Sequence, residues 1–263
     1  MSSDDEMTAG HPSGRVRPTP TETPTPATTG PPLATWPVEA PPADTVVYGP
    51  DVADERDLRL LGTIEGKRIL ELGVGNGANA VWLARQGAKV IGVDPSPARI
   101  EATRRLADEH EVRLELHEGD LADVAFVRAE AVDLVLSVYA LATVADLDRV
   151  FRQAHRVLRP ETPLVLSVPH PAFGLIDTSS PDPLRIAHGY HDRTPRPLVH
   201  DDETVVEHPR TFGDLFGGLY RASFRTELVL EPEPLGPPHS RWWNEVMRRV
   251  PATLIVRARK LGI

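Results

Sequence analysis

The stretch RILELGVGNGANAVWLARQGAKVIGVD, from Arg68 to Asp94, decides the fold. An apolar run stands near each end, and the segment between them has the apolar spacing of a helix. Gly73, Gly75 and Gly77 occupy alternate positions after the first run, and the second run ends on Asp94. A strand, a glycine turn, a helix and a strand ending in a carboxylate are the layout of a nucleotide-binding βαβ unit.

Alternation of strand and helix continues after this unit. The predicted strands are short and apolar on both faces, as in a parallel sheet that helices cover from both sides. The sequence therefore predicts a doubly wound α/β fold. Strands are predicted at Arg68–Leu72, Lys89–Val93, Arg113–His117, Val132–Val138 and Leu164–Val168, and helices at Ala78–Gln86, Pro97–Glu109, Leu121–Arg128 and Asp146–Leu158.

The two ends of the chain differ from this central part. Residues 1–45 are rich in Pro and Thr and bury too little apolar surface to offset the entropy of ordering, so a disordered tail is predicted. Residues 46–263 are predicted to form one domain, in which 169–208 read as a lid-like insert rich in Pro, Asp and His. Helices are predicted at Asp51–Leu61 and Phe212–Arg221, and strands at Arg225–Leu230 and Thr253–Arg259.

Composition limits the possible functions. A chain of 263 residues with 40% apolar residues can form one substantial core. The absence of cysteine excludes disulfides, thiolate metal sites and a cysteine nucleophile. A formal net charge of −9 argues against broad nucleic-acid binding, which needs a cationic surface. The sequence has no run of 18 apolar residues, which is the length that would predict a membrane span, and a cytoplasmic protein is expected.

Glu71 bears on which nucleotide the glycine turn would hold. The glycines alone leave this open, because Ala78 makes the string fit the dinucleotide pattern GxGxxA as well. A dinucleotide would put its pyrophosphate near Glu71, and two like charges about 5 Å apart, at an effective dielectric near 20, would cost about 3 kcal/mol. S-adenosylmethionine instead carries an ammonium and a sulfonium, which an acidic side chain favours.

Two further carboxylates follow neighbouring strands. Asp94 could accept hydrogen bonds from both hydroxyls of a ribose, which fits either nucleoside. Asp120 follows the third predicted strand and could accept from an adenine amino group, with Leu121 as an apolar surface beside it. Asp120 could equally serve as the cap of the helix predicted after it.

Four segments in this order resemble the class I S-adenosylmethionine-dependent methyltransferases: ELGVGNGANA, VIGVDPSPARI, HEGDLAD and VDLVLSVYALATVADLDRVFRQAHRVLRPETPLVLSVPHP. The chain is most similar to the small-molecule branch that includes quinone-biosynthesis-type enzymes, over about Tyr48 to Lys260. The resemblance implies a Rossmann-like seven-stranded sheet with an antiparallel C-terminal hairpin, and S-adenosyl-L-methionine as cofactor. One departure is the turn before the fifth strand, usually RPGG, which here reads RPET from Arg159 to Thr162.

The resemblance also implies roles for single residues. The acidic residue and the glycines of the turn would hold the methionine part, and the later carboxylates would hold the nucleoside. The residues so assigned are Glu71, Gly73, Gly75 and Gly77 for methionine, Asp94 for ribose, Asp120 and Leu121 for adenine, Ser137 to Tyr139 for the far side, and Tyr48 as an aromatic ring over the cofactor.

His170, at the tip of the fifth predicted strand, is the candidate general base because imidazole titrates near neutrality. The alternative is a hydrogen-bonded histidine that fixes the Pro-flanked turn. His188 and His191 have a spacing that could share a metal, but without an evident third ligand no metal site is predicted. Trp242 and Trp243 either complete a lid over the acceptor or pack a surface.

The sequence thus predicts transfer of a methyl group from S-adenosylmethionine to a small organic acceptor, without nucleic acid or membrane as partner. Two alternatives stay open. One is an NAD(P)-dependent oxidoreductase or epimerase, against which Glu71 and the terminal hairpin speak. The other is a methyltransferase-like module that binds cofactor without catalysis. The acceptor, the methylated atom and the oligomeric state do not follow from the sequence.

Overall fold

A seven-stranded sheet organises the computed structural model, which describes residues 43–178, 180–182, 184–200, 203–240 and 242–262. A separate two-stranded hairpin follows the fifth strand in the chain. In chain order the strands are β1 (Arg68–Leu72), β2 (Lys89–Asp94), β3 (Glu115–Glu118), β4 (Leu134–Val138), β5 (Pro163–Pro169), β6 (Arg196–His200), β7 (Glu203–Glu207), β8 (Phe224–Leu230) and β9 (Thr253–Lys260).

Strand order in the large sheet is β3-β2-β1-β4-β5-β9-β8. The first five strands are parallel, and β9 lies antiparallel between β5 and β8. This confirms the predicted doubly wound sheet and its antiparallel C-terminal hairpin. The order reverses between β1 and β4, and at such a switch point the loops after the strands diverge and leave a crevice.

The structure describes five α-helices, three of which begin at a residue whose side chain caps them. They are α1 (Glu55–Leu58), α2 (Ala78–Arg85), α3 (Pro97–Glu109), α4 (Leu147–Val157) and α5 (Phe212–Arg221). Asp146 accepts from the Arg149 N–H at 2.8 Å to start α4, and Thr211 forms a capping box with Asp214 to start α5. Among the described residues, no helix has the length and apolarity needed to cross a bilayer.

Apolar side chains fill both faces of the sheet. Phe151 of α4 is fully buried in the larger cluster, together with Leu215 of α5. Leu83 of α2 belongs to the second cluster, which also contains Leu136 of β4. Helices therefore cover the sheet from both sides, as expected for strands that are apolar on both faces.

The helix predicted at Leu121–Arg128 is wrong, because these residues form turns. Asp120 Oδ1 accepts from the Ala122 N–H at 2.8 Å, and such a local bond competes with helix formation. The Arg156 guanidinium donates to the carbonyls of Val124 and Val127 at 2.9 and 2.8 Å. An arginine from α4 thus satisfies carbonyls that a helix would have used internally.

The leading helix is also shorter than predicted. Asp54, rather than Asp51, caps α1, which ends before Arg59 at a φ of +50°. Glu55 is buried and accepts from the N–H groups of Leu60 and Leu61 at 2.9 and 3.0 Å. This bonding turns the two leucines into the core instead of continuing the helix.

Residues 43–52 run along the domain as a segment that we call the N-terminal strap. Arg85 of α2 donates to the Ala43 carbonyl at 2.9 Å, so Ala43, which lies within the predicted tail, contacts the domain. At the other end of the strap, Asp51 accepts from the N–H and the hydroxyl of Ser240 at 2.7 and 2.6 Å. The strap is therefore fixed to both an early helix and a late loop. Residues 1–42, the rest of the predicted tail, lie outside the described residues.

The insert at 169–208 has more regular structure than its weak periodicity indicated. A 3₁₀ turn forms at Phe173–Leu175, and β6 and β7 pair as an antiparallel hairpin. The hairpin is anchored beyond β7, where the His208 N–H donates to the Ala142 carbonyl at 2.8 Å and Arg210 donates to Val144 at 2.5 Å.

The RPET turn keeps the geometry that a glycine would adopt. Glu161 has a φ of +62°, in the left-handed region. Its N–H donates to the Lys260 carbonyl at 3.2 Å, and its carboxylate accepts from the Gly262 N–H at 3.0 Å. Contacts to the end of β9 therefore hold a residue type that costs about 1–2 kcal/mol in this conformation.

Gly73→Ala tests how closely the turns after β1 and β4 approach. A Cβ at Gly73 would lie 2.0 Å from the Ala140 Cβ, at a φ of +83°. Gly62→Ala is the matched control, with a φ of +65° and nothing within 4 Å. Both variants carry backbone strain, but only Gly73→Ala overpacks the contact, so we expect it to lose about 2 kcal/mol more in urea unfolding. Equal losses would contradict the close approach.

Candidate functional site

The carboxyl ends of β1, β2 and β4 surround a cleft beside the glycine turn, which we call the carboxyl-edge cleft. Open α/β sheets bind their ligands at this edge. The structure brings together there, from separate parts of the predicted site, Glu71, Gly73, Gly75, Asp94 and Leu121.

The glycine turn has two different functions in the structure. Gly75 has a φ of +55°, and an added Cβ would meet nothing within 4 Å, so its bare backbone faces open space in the cleft. Gly77, in contrast, has a φ of +85°, and an added Cβ would lie 2.8 Å from Thr103 of α3. Gly75 therefore offers a surface for close approach of a ligand, whereas Gly77 allows helix packing and does not line the cleft.

Asp94, at the end of β2, is held by backbone groups on both sides. Its Oδ2 accepts from the Gly75 N–H at 3.1 Å, and its Oδ1 accepts from the Ser96 N–H at 3.0 Å. The guanidinium of Arg99 lies 3.8 Å from Oδ1. Only 1% of Asp94 is exposed. The glycine turn and the start of α3 thus fix this carboxylate in the wall of the cleft.

Glu71 is the least satisfied charged group of the site. It is 1% exposed, and its Oε2 has no hydrogen-bond partner among the residues that the structure describes. Burial raises the pKa of Glu71 well above its ordinary value of 4.5, and the charge of Asp94 raises it further. An unpaired buried carboxyl costs free energy. A cationic donor in the cleft would remove this cost, so the site suits a ligand with an ammonium group.

Tyr48 does not line the cleft. Its ring is fully buried, and its hydroxyl donates to Glu55 Oε2 at 2.6 Å. Burial, reinforced by the charge of Glu55, raises the pKa of Tyr48. The neighbouring Val47 lines the cleft instead. The predicted aromatic cover is thus a core residue that supports the strap.

Ser137 and Tyr139 lie behind the cleft and support its wall. Ser137 donates to the Leu72 carbonyl at 2.7 Å. The Tyr139 hydroxyl lies 2.5 Å from Thr253 Oγ1, and burial raises the pKa of Tyr139. These bonds join β4 to β1 and to β9. In this stretch the cleft itself is lined by Val138 and Ala140.

Asp120 lies in a groove that continues the cleft beyond Leu121. Pro95, Leu121 and Thr143 line both spaces. Asp120 is exposed there, and its Oδ1 is held by the Ala122 N–H. Its position beside the apolar Leu121 is compatible with the predicted adenine contact, and there is no helix for it to cap.

Asn79 and Arg99 are cleft residues that the sequence reasoning missed. Both stand in the first turn of a helix, α2 or α3, directly after a strand that ends at the cleft. First-turn residues of such helices face the carboxyl edge, and this signal was available in the sequence. Asn79 Oδ1 accepts from the Val47 N–H at 3.1 Å and so draws the strap to the cleft.

His170 has both ring nitrogens engaged. Its Nδ1 accepts from the Ala172 N–H at 3.1 Å, which places the proton of the neutral ring on Nε2, and Nε2 donates to Glu231 Oε1 at 2.7 Å. Only 3% of the residue is exposed, and Phe212 packs edge-to-face at 5.2 Å. This arrangement favours the alternative of a histidine that fixes the turn over a general base.

The described residues that line the cleft include none of the histidines and tryptophans considered for a metal site or a lid, which are His188, His191, Trp242 and Trp243. Within the described ranges no group of three or more His, Asp or Glu residues could hold a metal ion. Burial, together with the charge of Arg196, lowers the pKa of His188. Trp243 stacks on His239 at 3.7 Å and packs against a small cluster that includes Phe173 and Met247.

Glu71→Gln tests the unpaired carboxyl through the pH dependence of stability. Because folding raises the pKa of Glu71, the stability linked to its proton is present below about pH 4.5 and is lost as pH rises through the folded value. Between the two pKa values, the wild type should lose about 1.4 kcal/mol per pH unit relative to Glu71→Gln. Thermal unfolding of the ligand-free protein at several pH values measures this. Glu233→Gln, at an exposed site, is the control, and parallel curves for wild type and Glu71→Gln would contradict the prediction.

His170→Ala tests the structural reading of this histidine. The variant leaves the Ala172 N–H and the Glu231 carboxylate without their partner. We expect a loss of about 1–3 kcal/mol in unfolding free energy, measured with urea. Glu231→Gln keeps a carbonyl acceptor for Nε2 and should cost less than about 1 kcal/mol. A His170→Ala protein as stable as the wild type would refute the assignment.

Several known proteins are similar to this chain in sequence. A family described as a methyltransferase domain matches residues 69–161. The ubiquinone biosynthesis O-methyltransferase of Azorhizobium caulinodans is 35% identical over 111 residues, which are 42% of this chain and 44% of that protein. The chain thus spans less than half the length of this curated relative.

Two solved structures are similar over most of their own length. An S-adenosylmethionine-dependent methyltransferase from Mesorhizobium loti has a TM-score of 0.64 and 27% identity, and the match covers 77% of this chain and 94% of that one. A candidate S-adenosylmethionine-dependent methyltransferase from Listeria monocytogenes has a TM-score of 0.63 and 25% identity, over 78% and 94%. These matches confirm the predicted resemblance: residues 69–161 match the methyltransferase-domain family, and the fold is similar to that of S-adenosylmethionine-dependent methyltransferases of known structure.

Proposed function

We propose that this protein is an enzyme that transfers a methyl group from S-adenosylmethionine to a small organic acceptor. The observation that carries the proposal is the buried, unpaired carboxyl of Glu71 beside the open backbone of Gly75. The residues around it fit the parts of this cofactor. Glu71 would bind the ammonium, Asp94 the ribose hydroxyls, and Leu121 with Asp120 the adenine.

The charge of the cleft supports a cationic ligand over a dinucleotide. Glu71 and Asp94 both lie in its wall, and Arg99 is within 3.8 Å of Asp94. A pyrophosphate near Glu71 would meet a carboxyl that burial already disfavours in its charged form. An ammonium and a sulfonium reverse that penalty. This argues against the NAD(P)-dependent alternative.

Catalysis in this proposal comes from alignment. The bound cofactor supplies a methyl group that is already electrophilic. The chain's own residues hold the nucleoside and the amino acid part in one orientation and keep water from the cleft. Orientation of this kind is worth about 7–11 kcal/mol. With both nitrogens of His170 engaged, the proposal includes no general base at that residue.

The acceptor in this proposal is a small molecule. The Azorhizobium relative is named for ubiquinone biosynthesis, and it supports a small organic acceptor for this chain by similarity over 111 residues. A cytoplasmic location and the absence of a nucleic-acid partner stay predictions from the sequence.

Isothermal titration with S-adenosylhomocysteine and with NAD⁺ tests the cofactor. We expect S-adenosylhomocysteine to bind and NAD⁺ not to bind. Glu71→Gln and Asp94→Asn should each weaken S-adenosylhomocysteine by about tenfold or more, because each loses a charge-assisted hydrogen bond worth about 1.5–3 kcal/mol. Glu115→Gln, on an exposed part of β3, is the control. Tight binding of NAD⁺ would overturn the proposal.

Turnover separates an enzyme from a binding module. Methyl transfer from labelled S-adenosylmethionine is followed over a panel of small phenols, amines and carbon acids. Transfer to at least one acceptor class is expected. Cofactor binding without transfer to any of them would favour the non-catalytic alternative.

A further inference from the structure

Asn79 stands between the carboxyl-edge cleft and the N-terminal strap. It lines the cleft from the first turn of α2, and it is half-buried. Its Oδ1 accepts from the Val47 N–H at 3.1 Å. Because an amide oxygen accepts and an amide nitrogen donates, this bond fixes which end of the side chain meets the strap.

The other end of the amide has unused donors. Among the described residues, Asn79 Nδ2 has no hydrogen-bond partner. Asn79 also stands in the first turn of α2, an eight-residue helix whose cap, Gly77, provides no side-chain acceptor, although Asn76 Oδ1 accepts from the Ala78 N–H at 3.1 Å. Backbone N–H groups at such an end favour anions. Asn79 therefore presents donors where a negative group would be stabilised.

Glu71 gives the cleft the opposite character at a neighbouring point. Its Oε2 is buried and unpaired, so this point favours a cationic donor. The cleft thus pairs a carboxyl from the end of β1 with amide donors at the start of α2. An α-amino acid group, with an ammonium and a carboxylate on one carbon, has this complementary pattern.

We propose that Asn79 binds the carboxylate of the cofactor's methionine part through Nδ2 while its Oδ1 holds the N-terminal strap, so that cofactor binding and strap closure are coupled. This inference rests on the proposed function. Asn79 is a binding residue here and takes no part in the transfer itself. The strap residue that it holds, Val47, also lines the cleft, so an ordered Asn79 fixes two parts of the wall at once.

Asn79→Asp separates the two roles of the side chain. An aspartate keeps an oxygen for the Val47 N–H but replaces the donor with a negative charge. The effect is measured by comparing the binding of S-adenosylmethionine with that of its decarboxylated form, which keeps the ammonium and the sulfonium. In the wild type we expect S-adenosylmethionine to bind about tenfold more tightly than the decarboxylated form.

Calorimetry on the full chain gives the expected pattern. In Asn79→Asp the preference for S-adenosylmethionine should disappear or reverse, because the new carboxylate repels that ligand's carboxylate. The decarboxylated form should bind this variant at least as tightly as it binds the wild type. In Glu71→Gln both ligands should weaken together, since both carry the ammonium. Asn244→Asp is the matched control, because Asn244 also accepts a backbone N–H through Oδ1 but caps the 3₁₀ turn Glu245–Arg248 and does not line the cleft. The Asn244→Asp variant should prefer S-adenosylmethionine over the decarboxylated form by the same factor as the wild type.

Strap closure has its own measurement. In hydrogen exchange, S-adenosylmethionine should protect backbone amides of residues 43–52 more than the decarboxylated form does. Asn79→Ala, which also loses the oxygen, should lower the melting temperature of the ligand-free protein, whereas Asn79→Asp should keep it near the wild-type value.

The outcomes distinguish the two proposals. An unchanged ligand preference in Asn79→Asp overturns the coupling and leaves the proposed function standing. Equal strap protection by both ligands overturns it as well. If neither ligand binds the wild-type protein, the proposed function fails and the role of Asn79 fails with it.

Discussion

The close approach of Gly73 to Ala140 is the constraint on which the rest of the site depends. A single added carbon at Gly73 would sit 2.0 Å from the Ala140 side chain. The missing side chain lets the turn after β1 touch the turn after β4, where the sheet reverses its order. The cleft forms between these turns. The same 3₁₀ turn, Ala140–Thr143, carries the anchor of the inserted hairpin through Ala142.

The buried carboxyl groups of this cleft destabilise the ligand-free protein. Glu71 is buried without a hydrogen-bond partner among the described residues, beside a second carboxylate that backbone amides hold in place. Stable folds usually pair such groups. The rest of the sheet is apolar and closely packed, so the chain tolerates this local cost. Buried groups left unpaired at a ligand site are a common source of specificity, because the correct ligand supplies what is missing.

Much of the fold could be predicted from the sequence. Strand β1 and the helices α3 and α5 have the predicted bounds, since apolar periodicity and caps mark them locally. The helix predicted at Leu121–Arg128 does not form, because the side chain of Arg156, distant in sequence, donates to backbone carbonyls in this segment. The hairpin of β6 and β7 carried too little periodicity to be found.

The site was predictable to a similar degree, and for related reasons. Strand tips and glycines in one βαβ unit identified Glu71, Gly75 and Asp94, because a short local pattern fixes their geometry. Tyr48 and Tyr139 were assigned by resemblance, yet their hydroxyls bond to Glu55 and Thr253 in the core. Whether an aromatic ring faces a cleft or a core depends on long-range packing, which no local pattern encodes.

The tie between Asp51 and Ser240 has a consequence for biosynthesis. The two residues are 189 positions apart in the chain, yet two hydrogen bonds join them. Val47, which forms part of the cleft wall, belongs to the same strap as Asp51. During synthesis from the amino end, Asp51 cannot make these two bonds until Ser240 has left the ribosome. The far end of the strap should therefore be fixed later than its start, since α2 already provides the partners of Ala43 and Val47.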